Sequence, residues 1–349
     1  MNTILKRAAR GVLVLSLTFL TVSTSLKVSA QKAQSATPKI VKAASAFLAT
    51  LNEQQRKSVL FAFNDEAQRA RWSNFPVRMS PRAGLSMGEL NATQRSAAQA
   101  LVQTALSKRG YEKVQQIVEG DEVLKNNEGN NPMFGKDLFY ILILGKPSEK
   151  EPWMLQYGGH HLALNITIAG EHGVLTPTLT AAQPALYTVN GKAVRPLGQE
   201  SDKGIGLLHA LDETQKKQAI LNYNVSDLVL GPGQDGKKIL PEGLKASAMT
   251  EKQRAMLVDL ITEWAGIVHD SAAAARLAEI KAGLNETWFA WSGPATVQPG
   301  RNITGYYRIQ GPKLVIEYAP QRLGGDLSNH VHTIYRDPTN DYGRGLKAK

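Results

Sequence analysis

The chain has 349 residues, a formal net charge of +11 at pH 7 and no cysteine, which excludes disulfides, thiolate metal ligands and a cysteine nucleophile. Any metal must be held by nitrogen and oxygen. The basic residues are spread through predicted helices rather than gathered in runs with interleaved aromatics, so the charge does not predict nucleic-acid binding.

In chain order, the N-terminus reads first as an address. Lys6, Arg7 and Arg10 precede an apolar run from Gly11 to Leu20, and Val28-Ser29-Ala30 offers the small residues of a cleavage site. This predicts a signal peptide over residues 1–30 and a periplasmic or secreted product. The run is shorter than the roughly 20 residues of a membrane span, so no stable membrane insertion is expected after cleavage. Losing residues 1–30 removes four basic residues and no acidic one, leaving +7. Residues 31–44, small and polar, predict a flexible lead-in, passing into a helix from about Ile40 to Ala49.

A regular motif follows. An apolar residue, a capping Asn, Asp or Thr, Gln three positions after the cap and then a basic residue recur at Leu51–Arg56, Leu90–Arg95, Leu211–Lys216 and Met249–Arg254. This is the capping-box pattern that starts a helix. The predicted helices run from Asn52 to about Arg71, Asn91 to Lys108, Tyr111 to about Asn126, Asp212 to Tyr223, Thr250 to about Val268 and Ser271 to about Ala282.

Leu51 and Leu211 are 160 positions apart, and Leu90 and Met249 are 159 apart, so the helix starts repeat as a pair. Strands repeat with them: Asp137–Leu144 with Glu286–Trp291, and the hairpin Met154–Asn165 with Tyr306–Glu317. Thr176–Lys203 reads as a long connection with short strands near Tyr187–Val189 and Ala193-Val194, and Leu228–Gly243 as an ordered loop. The expected fold is α+β: one domain over 45–349 made of tandem pseudo-duplicated halves, about 45–180 and 205–343, each with helices followed by antiparallel β-hairpins.

Chemistry concentrates near the C-terminus, in Asn329-His330-Val331-His332-Thr333-Ile334-Tyr335-Arg336-Asp337-Pro338-Thr339-Asn340-Asp341. If His330–Tyr335 is a strand, its period of two puts both imidazoles on one face. A further ligand would come from the hairpin pair His160 and His161, of which one faces the site and the other packs behind it. The metal candidates are therefore His160, His161, His330 and His332, a nitrogen set suited to zinc or copper. The competing reading is buried structural histidines bonded to carboxylates. Glu317, Arg336, Asp337 and Asp341 are the catalytic candidates: a base for a metal-bound water, a substrate clamp and metal-orienting acids. Asp337 and Asp341 equally suit a tight turn. The chain has no nucleophile elbow, phosphate-cradling loop or His-Glu-x-x-His helix, and no organic cofactor is predicted.

Gly-His-His-Leu-Ala-Leu-Asn at 159–165, Trp-Phe-Ala-Trp at 288–291 and the 329–343 segment together resemble a family of exported bacterial proteins catalogued as domain of unknown function 3500. The resemblance covers nearly the whole chain after residue 30 and implies a signal-bearing product, with no reaction attached. The expected function is a metal-dependent hydrolase using a metal-activated water on a small-molecule or peptide substrate. The alternatives are a non-catalytic protein of copper or zinc handling, and an interaction protein with structural histidines.

Overall fold

The computed structural model describes residues 36–346. In chain order the helices are α1 (Thr37–Thr50), α2 (Glu53–Val59), α3 (Glu66–Arg69), α4 (Ala92–Ala105), α5 (Lys108–Asn127), α6 (Gly198–Ala210), α7 (Glu213–Ala219), α8 (Glu251–Ala265) and α9 (Asp270–Ala282). The strands are β1 (Leu60–Phe61), β2 (Leu85–Ser86), β3 (Tyr140–Leu144), β4 (Trp153–Gly159), β5 (Leu162–Ala169), β6 (His172–Val174), β7 (Thr178–Ala182), β8 (Tyr187–Val189), β9 (Lys192–Val194), β10 (Leu244–Lys245), β11 (Trp288–Ser292), β12 (Tyr306–Gly311), β13 (Leu314–Pro320) and β14 (Val331–Arg336). The class is α+β, as expected. Among the described residues no helix is long and apolar enough to cross a membrane.

All four capping boxes form. They also work in pairs. The Gln94 amide bonds Gln55 at 2.8 Å, and the Gln253 amide bonds Gln215 at 2.8 Å. Each glutamine therefore closes its own helix and grips that of its neighbour, which is why the motif recurs 38 or 39 residues later.

Twelve strands form one sheet, in the order β1-β3-β4-β5-β7-β14-β13-β12-β11-β10, with β2 beside β3 and β6 beside β5. At its centre β7 and β14 run antiparallel, with Thr180 opposite Thr333. The two edges are built alike. Leu60 pairs parallel with Ile143 and Leu85 antiparallel with Ile141; at the far edge Ile220 pairs parallel with Trp291 and Leu244 antiparallel with Phe289. Corresponding outer positions are thus 160 and 159 residues apart, and inner ones 148. Gly84 and Gly243 precede β2 and β10 at φ +92° and +96°, where a Cβ would lie 2.3 Å from the Ile141 carbonyl and 2.2 Å from that of Phe289. Both edges end in two-residue strands, which leaves little backbone open to another chain.

Helices cover one face. Ile40, Phe47, Leu101 and Val114 pack on Ile141, Leu155 and Leu164 in the first half, while Leu208, Leu257 and Trp264 pack on Phe289 and Tyr307 in the second. Loops cover the other face, over a smaller core of Trp72, Leu142, Met154, Ala163, Leu179, Ile334 and Tyr342.

Three expectations are corrected. The lead-in drawn over 31–44 is helical from Thr37, because Pro38 suits a first turn and Ile40 and Ala44 are fully buried. The helix expected from Asn52 to Arg71 stops at Val59, where Leu60-Phe61 joins the sheet and Asp65 caps the separate turn α3. The connection Thr176–Lys203 contains β7, the strand that receives β14, and the start of α6. Thr-Leu-Thr-Ala-Ala is buried on both faces and so shows no alternation to read. The signal peptide expected over residues 1–30 lies outside the described residues.

Candidate metal centre

His160 and His161 form the turn joining β4 to β5. His161 sits at φ +63°, a left-handed conformation uncommon for a residue with a side chain. Its backbone is held on both sides: its N–H donates to the Asn74 carbonyl at 3.2 Å, and its carbonyl accepts from Ala181 N–H at 2.8 Å. Arg82 ties the same hairpin to the 73–80 loop, donating to the carbonyls of Ser73, Phe75 and Gly159 at 2.7, 2.9 and 3.1 Å. Burial lowers its pKa to about 10.

Ala181 lies opposite His332, so His161, Ala181 and His332 form a row across the sheet on its loop-covered face. His330, one residue before β14, shares that face, and its carbonyl accepts from Gln321 N–H at 2.8 Å. The three Nε2 atoms converge: His330 to His161 3.1 Å, His330 to His332 3.1 Å and His332 to His161 3.4 Å. All three residues are buried. With bonds of about 2.0–2.1 Å to an ion, nitrogens at three corners of a tetrahedron lie about 3.3–3.4 Å apart, and those on an octahedral face about 2.9 Å. The two 3.1 Å edges fall between these values and the 3.4 Å edge matches the tetrahedral one.

The protons sharpen the point. His330 Nδ1 is 2.9 Å from the Leu323 carbonyl, which can only accept, so Nδ1 carries the hydrogen and Nε2 presents a lone pair. His332 Nδ1 faces Asp227 Oδ1 at 3.5 Å, too long for a good hydrogen bond but enough to favour a proton on that side. Two lone pairs then oppose each other at 3.1 Å. A shared proton is one remedy, but burial and the neighbouring imidazoles push all three pKa values down, His330 to about 4. A bound cation satisfies the whole set.

His160 is not in the converging set. Its Nδ1 is 2.6 Å from Asp121 Oδ1, on α5, and its ring stacks on His161 with centroids 3.6 Å apart. Asp121 Oδ2 accepts from Gly135 N–H at 2.7 Å. Asp121, Asp227 and the Asn74 and Leu323 carbonyls orient the ligands. Sequence reasoning missed them because nothing in the local pattern marks a helix-interior acid or a loop carbonyl.

The four catalytic candidates are also placed outside the converging set, and their bonds are spent elsewhere. Glu317 is fully buried and accepts from Val229 N–H, Leu230 N–H and the Tyr306 hydroxyl. Arg336 bonds Asp235 and Asp341 at 2.8 Å each and the Leu230 and Gly231 carbonyls. Asp337 pairs with Arg276 and accepts from Thr339, and Asp341 also accepts from Asp337 N–H. These groups fasten the 229–235 loop and the C-terminal turn to the sheet.

The depressed imidazole pKa values predict how the metal-free protein responds to acid. The unfolded chain takes up protons near pH 6.5 while the fold keeps His330 neutral to about pH 4, so stability falls as pH drops through that window. The His330 share is about 3 kcal/mol at the acid end. Urea midpoints of chelated protein at pH 7 and pH 4.5 should fall more steeply for wild type than for His330→Ala; parallel slopes would contradict the assignment.

A family model described as a protein of unknown function, DUF3500, matches residues 33–344. No curated protein and no solved structure matches the chain.

Proposed function

We propose, for a chain that belongs to the DUF3500 family of proteins of unknown function, that it is an exported metalloprotein holding one zinc or copper ion through His161, His330 and His332. The observation that carries this reading is the meeting of three buried Nε2 atoms at 3.1–3.4 Å. His161, His330 and His332 would hold the ion through three nitrogens, and an ion there would supply Lewis acidity and lower the pKa of a bound water. The reaction class that fits is hydrolysis. His330 is fixed in tautomer by the Leu323 carbonyl, Asp227 favours the matching tautomer of His332, and His161 is braced by the His160–Asp121 pair.

One ion per chain follows from comparing the halves, which we infer descend from a tandem duplication. Aligning β7 with β14 through Thr180 and Thr333 makes Pro177 the counterpart of His330 and Leu179 the counterpart of His332, so the second copy of the arrangement lacks both of these ligands.

The test begins with elemental analysis of mature protein purified from the periplasm without a histidine tag. Matched metal-loaded and chelated samples are then assayed on ester, phosphoester and peptide substrates. Near-stoichiometric zinc or copper with metal-dependent turnover is the expected result. Stoichiometric metal without turnover would favour metal handling, the second reading, and protein free of metal in periplasmic preparations would overturn both.

A further inference from the structure

Fifteen arginines lie in the described part of the chain. Twelve have side chains engaged by carboxylates or carbonyl oxygens, as with Arg56 on the Leu48 carbonyl, Arg254 on that of Met249 and Arg95 on Asp137. Among the described residues, Arg71, Arg78 and Arg322 are the ones with neither a side-chain hydrogen bond nor an ion pair, and all three are exposed. They are not scattered. Arg71 and Arg78 stand three residues before and four after Asn74, whose carbonyl receives the His161 N–H, and Arg322 immediately precedes Leu323, whose carbonyl faces His330 Nδ1. The unpaired guanidinium groups therefore sit on the two loops that touch the metal ligands.

The same loops carry exposed apolar side chains: Phe75 at 52%, Met79 at 63% and Leu323 at 75% of their full exposure. Arg82, through its bonds to Ser73, Phe75 and Gly159, fixes the first loop to the hairpin that holds His161. The acids nearby are already used: Asp227 faces His332 and Gln321, and Asp326 pairs with Arg301. Unpaired arginine forks match the oxygens of a carboxylate or phosphate, and apolar side chains left in water beside them match a hydrocarbon portion.

We propose that the substrate of this site is a small anionic amphiphile, its oxyanion held by Arg71, Arg78 and Arg322 and its apolar part resting on Phe75, Met79 and Leu323. This rests on the metal-site reading for the location of the chemistry, but the recognition surface is tested separately. Decyl phosphate, kept below its micelle concentration, is titrated calorimetrically into zinc-loaded protein, beside inorganic phosphate and the uncharged decyl maltoside. The comparison variant is Arg71→Gln/Arg78→Gln/Arg322→Gln, whose exposed positions spare the core. Decyl phosphate should bind at least about tenfold more tightly than either control, and at least about tenfold more weakly to the variant, since charge-assisted hydrogen bonds are the stronger kind. The variant should retain full zinc. Equal binding of charged and uncharged probes, or an unchanged variant, would overturn the inference, as would recruitment to phosphatidylglycerol vesicles without binding of the soluble probe. If zinc is absent throughout yet the arginine effect persists, the metal reading fails and the anion site stands; zinc retained with no arginine effect removes this inference alone.

Discussion

Replacing His330 and His332 together by alanine is expected to abolish the proposed stoichiometric metal binding and, with it, the stabilisation a bound metal would give the fold. His161 and His330 are 169 residues apart in the chain, so the set exists only when the β4–β5 turn and β14 are assembled. An ion that binds the native protein and not the unfolded chain stabilises by about 4 kcal/mol when its free concentration is a thousand times the dissociation constant. Chelation should therefore lower the wild-type melting temperature by several degrees and leave the double variant unmoved. His160→Ala should behave differently. That ring touches the ligand His161 and not the converging point, so affinity should fall by about 10- to 100-fold, as for other groups that orient ligands, with stoichiometry recovered at higher metal. Wild type and double variant responding equally to chelation would refute the site.

The site was half legible in the sequence. The spacing of His330 and His332 needs only the period of a strand to put both rings on one face, and the structure keeps that face. Choosing between His160 and His161 needed more, because a two-residue turn does not alternate as a strand does; the left-handed backbone of His161 and the pull of Asp121 on His160 decide it. The acids after His332 were read as functional because they are near in sequence. Arg336 does share the face of His332, four residues on, but at that depth the 229–235 loop and Asp341 consume its donors. The capping boxes were legible because both partners lie within four residues. Their second role, joining Gln55 to Gln94 and Gln215 to Gln253, was visible only as a repeat without a reason. β7 escaped because threonine and alanine buried on both faces carry no periodic signal, and the strand beneath the metal site was lost with it.

The largest effect on stability is expected where no sequence signal pointed. Lys113, on α5, is almost fully buried, bonds the Glu200 carboxylate of α6 and donates to the Glu263 carbonyl of α8 at 2.9 Å. Glu263 has other cations, Lys203 at 2.6 Å and Arg109 at 2.6 Å. Glu200 has Lys113 alone, and its second oxygen is buried without a partner. Burial raises the Glu200 pKa, and the Lys113 charge opposes that rise. Lys113→Met removes the opposition and leaves a carboxylate in the core, which should cost about 3–5 kcal/mol at pH 7. The deficit should shrink as pH falls through the raised pKa, because a protonated carboxyl no longer needs a cation. Lys113→Met/Glu200→Gln should recover most of the loss, and urea unfolding of the four proteins of this cycle at pH 8 and pH 5 measures it. A single-variant cost below about 1 kcal/mol, the range of exposed pairs, would show that water reaches Glu200 after all. The consequence extends to the metal. Asp121 lies on α5 eight residues beyond Lys113 and holds His160 against His161, so the interior ion pair that fixes α5 across the two halves also fixes one wall of the site. Lys113→Met should therefore weaken metal binding while every ligand is still present, and the Glu200→Gln partner should restore it along with the fold.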